Sequence, residues 1–131
     1  MILDSHVHFG TSSWGDATPE ELLEIINEVD FAICSNLEGI ESINFKDELT
    51  CNLEMIQASR KIPKLKPLLV CQPNLTSNEN IARKLLEEYN DFVGLKIHPE
   101  CMKLPANSDK YNPYLDLAKE FKNSFLVVFL P

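Results

Sequence analysis

Short apolar stretches alternate with amphipathic stretches along the whole chain, and this alternation predicts the fold. Five stretches rich in β-branched, aromatic and aliphatic residues predict strands. They cover residues 2–8, 31–36, 67–71, 92–98 and 125–130. Between them, apolar residues recur three and four positions apart, which predicts helices. Strands that alternate with helices are typical of a parallel α/β fold, here of about four β-α units and a fifth strand in a single domain, residues 1–131.

Two segments carry the sequence of a capping box, in which the residues at both ends bond to each other's backbone. Thr18 and Glu21 predict the start of the first helix, with Pro19 at its first position. Thr76 and Glu79 predict the start of the third helix. Local chemistry therefore predicts where two of the helices begin.

The other boundaries follow from spacing and from proline. The second helix is expected over residues 47–60, with Leu49, Leu53 and Ile56 at helical spacing. Asn112 is expected to cap the fourth helix. Pro67 is expected at the beginning of the third strand, because proline cannot donate a hydrogen bond inside a central strand.

The composition fits one globular domain and disfavours several partners. The 131 residues are 44% hydrophobic and carry a net charge of −8. Since Lys and Arg form no cluster, we expect neither nucleic acid nor an anionic membrane as a partner. No signal-peptide pattern and no apolar run of roughly 20 residues is found, so the expected compartment is the cytoplasm. Four separate cysteines without a Cys-x-x-Cys pair support neither a zinc ribbon nor a disulfide framework.

The first predicted strand ends in two histidines with one residue between them. Side chains alternate along a strand, so His6 and His8 point the same way, about 6.6 Å apart along the backbone. Two imidazoles at this spacing can reach one metal ion. The alternative is a polar strand end whose imidazoles are solvated or hydrogen-bonded. The sequence around the pair leaves both interpretations open.

The fourth predicted strand repeats this pattern of one polar face. Gly94, Lys96 and His98 share one face, and the aliphatic residues between them share the other. Burying a lysine without a partner is costly, so the polar face must line a charged or wet region. Polar residues near the carboxyl ends of two strands are typical of the mouth of a β/α barrel. A structural ion pair between Lys96 and Asp4 is the alternative to a direct role for Lys96.

These two segments resemble the amidohydrolase superfamily, in particular its amidohydrolase-related (amidohydrolase 2) branch. The matching motifs are Leu3-Asp4-Ser5-His6-Val7-His8 and Gly94-Leu95-Lys96-Ile97-His98-Pro99. The resemblance implies a TIM-type (β/α) barrel that binds one or two divalent cations, commonly zinc. It covers the whole chain but only about half of the expected fold, so residues 1–131 correspond to the N-terminal half of such a barrel.

The resemblance also implies roles for individual residues. His6 and His8 would be the metal ligands of the first strand. Lys96 lies on the strand where some relatives carry a carboxylated lysine, and His98 would lie near the substrate. Asp4 and Trp14 are further candidates to line the site. The implied reaction is attack of a metal-activated water on a carbonyl-type small-molecule substrate, with metal-assisted decarboxylation in some relatives.

Half a barrel leaves this site incomplete. A full barrel needs about 250 residues, and the family's remaining ligands lie on later strands. The sequence assigns no catalytic residue, and we expect a truncated chain with little or no hydrolase activity alone. Association with a second copy or with a complementary half barrel is expected to cover its open edges. The rival interpretations are a non-catalytic degenerate paralogue or binding module with an open α/β sheet, and a flavodoxin-like domain.

Overall fold

A computed structural model describes residues 1–12, 15–42, 44–73 and 80–121, and the backbone of residues 79 and 126–129. Trp14, Thr76 and the last residue of the fifth predicted strand, Leu130, lie outside these ranges. The predictions made for them therefore stay predictions.

Strands and helices alternate along the described chain. The strands are β1 Leu3–Ser12, β2 Gly15–Ala17, β3 Phe31–Asn36, β4 Leu65–Val70, β5 Gly94–Ile97 and β6 Leu126–Phe129. The α-helices are α1 Pro19–Ile25, α2 Glu48–Lys61, α3 Glu79–Glu88, α4 Pro99–Met102 and α5 Asn112–Glu120. Two 3-10 turns lie at Leu37–Gly39 and Asp109–Tyr111. The five predicted strands and four predicted helices are present, and β2 and α4 are additions that the pattern did not predict.

The strands form one sheet in the order β2-β1-β3-β4-β5-β6. β2 is antiparallel to β1, and the other five strands are parallel and lie side by side in chain order. The α/β class is confirmed. In a flavodoxin-like sheet the first parallel strand lies between the second and the third. Here the second parallel strand, β3, lies between β1 and β4, so the observed order contradicts that interpretation.

The long helices pack against the same face of the sheet. Leu65 and Leu69 of β4 are four residues apart and point to one side. Leu65 is buried in a cluster with residues of α1 and α2, and Leu69 in a cluster with residues of α2, α3 and α5. An open sheet with helices on both faces is thus not what the described residues form.

The opposite face of the sheet is called here the inner face. By alternation and register it carries His8, Ser35, Lys66, Leu68 and Lys96. Ser35, Leu68 and Lys96 are at most 3% exposed. Polar and charged groups are therefore buried on the side that the helices do not cover.

An extra residue interrupts β1 between Asp4 and Val7, the stretch that includes His6. Asp4 pairs with Ala32 and Val7 with Cys34, so three steps in β1 match two steps in β3. Such a bulge shifts the phase of a strand by one residue. Asp4 consequently pairs with a residue of the helix-covered face, and the strict alternation predicted for Asp4, His6 and His8 breaks at the bulge.

Pro67 lies inside β4 and not at its beginning, which corrects the prediction. It is the last residue of β4 paired with β3, opposite Cys34. On the other side, pairing with β5 begins only at Leu68. The Pro67 carbonyl accepts a hydrogen bond from Val93 N at 2.9 Å, just before β5 starts. Proline has no N–H to donate, and Pro67 lies at a position where its neighbouring strands do not require that hydrogen bond.

The apolar spacing of the second helix includes one exposed residue, and the cap of the fourth predicted helix differs from the prediction. Leu49 is 46% exposed, whereas its neighbour Glu48 is fully buried. Asn112 is the first residue of α5, and the cap position is Tyr111, which makes no side-chain cap bond. The Thr18 capping box is confirmed, with bonds in both directions between Thr18 and Glu21.

Candidate metal centre

The two histidines of β1 converge on each other. Their Nε2 atoms are 2.7 Å apart, and their rings meet edge to face at an interplanar angle of 87°. Two nitrogens that each lie about 2.05 Å from one tetrahedral zinc ion are about 3.3 Å apart. An opening of roughly 0.6 Å between the rings would thus turn the hydrogen-bonded pair into two ligands of one ion.

Ser35 on the neighbouring strand orients His8. The register places Ser35 beside His8, and Ser35 Oγ lies 2.8 Å from His8 Nδ1. A bond at Nδ1 fixes the imidazole ring and directs Nε2 toward the shared point, as the outer partners of metal-bound histidines do. Sequence reasoning missed Ser35. The signal that could have found it is the pairing of the first two parallel strands, each with a polar residue near its end.

Lys96 of β5 completes a cluster of three nitrogens. Its side chain is 1% exposed, and its Nζ lies 3.4 Å from His6 Nε2. The structure therefore brings together residues that are 90 positions apart in the sequence. Asp4 is bound elsewhere, because its Oδ1 accepts a hydrogen bond from the backbone N of His6 at 3.0 Å. Among the described residues, the ion pairs do not include one between Asp4 and Lys96.

Burial governs the charge of this cluster. It lowers the pKa of His8 to about 4, with the Lys96 charge as the second cause. The same two causes, in the same order, lower the pKa of His6. Burial also lowers the pKa of Lys96 to about 8. Both imidazoles are thus neutral at pH 7, which is the form that binds a metal ion.

His98 lies near this cluster but turns to a different partner. It caps the short helix α4, and its Nδ1 accepts a long hydrogen bond from Cys101 N at 3.4 Å. Its Nε2 lies 3.9 Å from Cys101 Sγ. His98, Cys101 and Glu41 line a cavity of about 320 Å³. Trp14, the remaining candidate, lies outside the described residues.

The cluster fits a catalytic metal only in part. Catalytic zinc normally takes three protein ligands and a water. Within the described part of the chain, no group of three His, Cys, Asp or Glu side chains could hold a metal ion. His6 and His8 supply two imidazoles, and any third ligand has to come from elsewhere. The described residues alone can therefore hold an ion only weakly.

No protein-family model, no curated protein and no solved structure matches the chain. Within the described ranges, no helix has both the length and the apolar character that crossing a membrane requires. Function has to be inferred from the site itself.

Proposed function

We propose that this chain is part of an amidohydrolase-like (β/α) barrel and that His6 and His8 hold a divalent cation, with zinc the expected ion. The observation that carries the proposal is the convergence of the two Nε2 atoms to 2.7 Å. Neutral imidazole nitrogens are the ligands that zinc takes in most catalytic sites.

The sheet supports the barrel part of the proposal. Parallel strands in chain order with helices on one face are the arrangement of a (β/α) barrel, whose strands close with their inner faces together. A doubly wound sheet would carry helices on both faces. The inner face of this sheet holds the histidines and Lys96, as expected for residues lining a barrel.

The proposed reaction is hydrolysis of a carbonyl-type small molecule, with decarboxylation as the related alternative. A bound zinc ion would supply an activated water. Ser35 would orient His8. Since the described residues offer two imidazoles, we expect weak metal affinity and little or no turnover by this chain alone. A third ligand would come from further chain, a second copy or a complementary half barrel.

A second candidate function is a non-catalytic binding module that keeps the histidine pair. The ligand count favours it, because no third metal-binding side chain joins His6 and His8 in the described part of the chain. The two candidates share the metal and differ in turnover. Hydrolysis of ester, lactone or amide substrates by the zinc-loaded chain, abolished by a chelator, would favour the enzyme and contradict the expected inactivity.

Zinc titration by calorimetry tests the shared claim. His6→Ala and His8→Ala are expected to weaken zinc binding at least tenfold, because each removes one of two ligands. His98→Ala is the matched control, since the chain has three histidines and His98 turns to Cys101. Unchanged zinc binding in both His6→Ala and His8→Ala would refute the proposed metal site.

A further inference from the structure

The bulge in β1 decides which face of the sheet carries the histidines. Three steps along β1, from Asp4 to Val7, match two steps along β3. Pairing without the extra residue would place His6 opposite Cys34. Cys34 is fully buried in the cluster with residues of α1 and α2. A regular β1 that starts in the same register would therefore turn His6, and His8 two positions on, toward the helices.

The chain is anchored on both sides of the bulge. Before it, Ile2 N donates to Asp30 Oδ2 at 2.6 Å, and Ile2 O accepts from Asp30 N at 2.8 Å. After it, Val7 and Phe9 are at most 9% exposed and belong to the same helix-covered cluster. A one-residue slip of either part would break these bonds or expose these side chains. The extra residue is therefore held between the two anchors.

The Asp4 side chain bridges the bulge. Its Oδ1 accepts a hydrogen bond from His6 N at 3.0 Å, two residues further along the chain. β2 pairs with β1 only over residues 10–12, so among the described strands none flanks His6 on the edge of β1 away from β3. Aspartate and asparagine can bond to nearby backbone groups in place of a strand ladder. Asp4 thus supplies, from within β1, an acceptor for a backbone donor at the bulge.

We propose that Asp4 is a positioning residue, whose bond to His6 N holds the bulge in the form that turns the His6 ring toward His8. The inference rests on the proposed function only in that this pair is the proposed metal site. Asp4 acts through His6, because it pairs with Ala32 on the helix-covered face. The role requires an acceptor oxygen and no negative charge, so asparagine should replace aspartate and alanine should not.

The contact between the two rings is measurable without a metal. Their centroids are 4.6 Å apart, so a nuclear Overhauser effect between ring protons of His6 and His8 is expected in the unmodified chain. Asp4→Asn is expected to retain this effect, and Asp4→Ala to lose most of it. An unchanged effect in Asp4→Ala, or an equal loss in Asp4→Asn, would overturn the role of the acceptor oxygen.

Asp47→Ala is the matched control for a general loss of stability. Asp47 Oδ1 accepts a hydrogen bond from Thr50 N at 2.7 Å at the start of α2, so this variant also loses a bond from an aspartate to the backbone. It is expected to lower the midpoint of unfolding and to leave the ring contact unchanged. An equal loss of the ring contact in Asp47→Ala and Asp4→Ala would assign that loss to reduced stability and contradict the positioning role.

Deletion of Ser5 tests the bulge itself. Without Ser5, His6 lies opposite Ile33, and β1 pairs residue for residue with β3. Both histidines then share the inner face without a bulge, so the ring contact should persist, and adding Asp4→Ala should leave it unchanged. A contact that is lost when Asp4→Ala is added to the Ser5-deleted chain would contradict the route through the bulge. Should Asp4→Ala alone fail to fold, Asp4→Asn and the two Ser5-deleted chains still decide.

The outcome is separable from that of the metal site. Asp4→Ala is expected to weaken zinc binding about 10- to 100-fold, and Asp4→Asn to bind zinc as the unmodified chain does. Zinc binding through His6 and His8 that Asp4→Ala leaves unchanged refutes the role of Asp4 and leaves the metal proposal standing. A ring contact that follows the prediction in a chain that binds no zinc refutes the metal proposal and supports the role of Asp4.

Discussion

Replacing Asn52 with alanine is expected to destabilise the sheet beside the candidate site. Asn52 of α2 is fully buried, and its amide group mimics a neighbouring strand. Its Oδ1 accepts from Val70 N at 2.8 Å, and its Nδ2 donates to Val70 O at 3.0 Å and to Glu48 O at 2.7 Å. β4 stops pairing with β3 at Pro67, so Asn52 supplies the bonds that β3 no longer provides to Val70.

The magnitude follows from the groups that the substitution leaves without a partner. Val70 N and Val70 O would both stay buried, and each such group costs about 1–3 kcal/mol. Glu48 O loses less, because it is also a carbonyl of the first helical turn. The expected loss is about 3–5 kcal/mol in the free energy of unfolding. That is a large share of the 5–15 kcal/mol that is typical of a domain.

Urea unfolding followed by circular dichroism measures this loss. With a slope of roughly 1.5 kcal/mol per molar urea, the midpoint of Asn52→Ala should fall by about 2–3 M. Asn27→Ala is the control, because Asn27 is exposed and should change the midpoint little. A loss below about 1 kcal/mol for Asn52→Ala would show that the Val70 groups find other partners, and the strand-mimic interpretation would be wrong.

Three further predictions concern the site and its support. Ser35→Ala should weaken zinc binding about 10- to 100-fold, because the His8 ring loses the hydrogen bond that orients it. Ser35→Thr, which keeps the hydroxyl group, is the control. Equal zinc affinities of Ser35→Ala and the unmodified chain in calorimetry would contradict this role for Ser35. The folded chain holds the pKa of His8 at about 4, below the value of 6.5 in the unfolded chain. The contribution of neutral His8 to the free energy of unfolding should therefore be fully present above pH 6.5. It should be lost, by up to about 3 kcal/mol, as the pH falls toward 4. His8→Gln should flatten that part of a chelator-treated pH–stability profile, and an unchanged profile would refute the cause. Gly39→Ala should lower the melting temperature because the added Cβ overlaps Cys51 Sγ, and an unchanged temperature would show that Cys51 moves freely.

Local signals in the sequence predicted much of the fold. β3 has the predicted bounds Phe31–Asn36, since an apolar run between turn residues marks a strand regardless of tertiary context. The Thr18 capping box bonds as predicted because all its partners lie within four residues. The β1–β2 hairpin was missed. β1 begins to pair with β2 at Gly10, whose φ of +109° is accessible to glycine and strained for other residues.

For the candidate site, the sequence predicted the face of β5 that carries Lys96, but it did not predict the contacts between residues of different strands. Alternation along β5 placed Lys96 on the face opposite the aliphatic residues, and it is found there beside His6. The register between strands and the bulge of β1 are not encoded in either strand alone. For that reason Ser35 was missed. Asp4 was expected on the same face as His6 and His8, whereas it pairs with Ala32, a residue of the helix-covered face. The buried polar residues of α2 were missed because helical periodicity reports only apolar faces.

X-ray absorption at the zinc edge tests the central claim most directly, namely that His6 and His8 hold one metal ion. The zinc-loaded chain is expected to show imidazole nitrogens at about 2.0–2.1 Å, and His6→Ala to lose one of them. Sulfur at about 2.3 Å in the unmodified chain, unaffected by His6→Ala, would place the ion on a cysteine such as Cys101 and contradict the account.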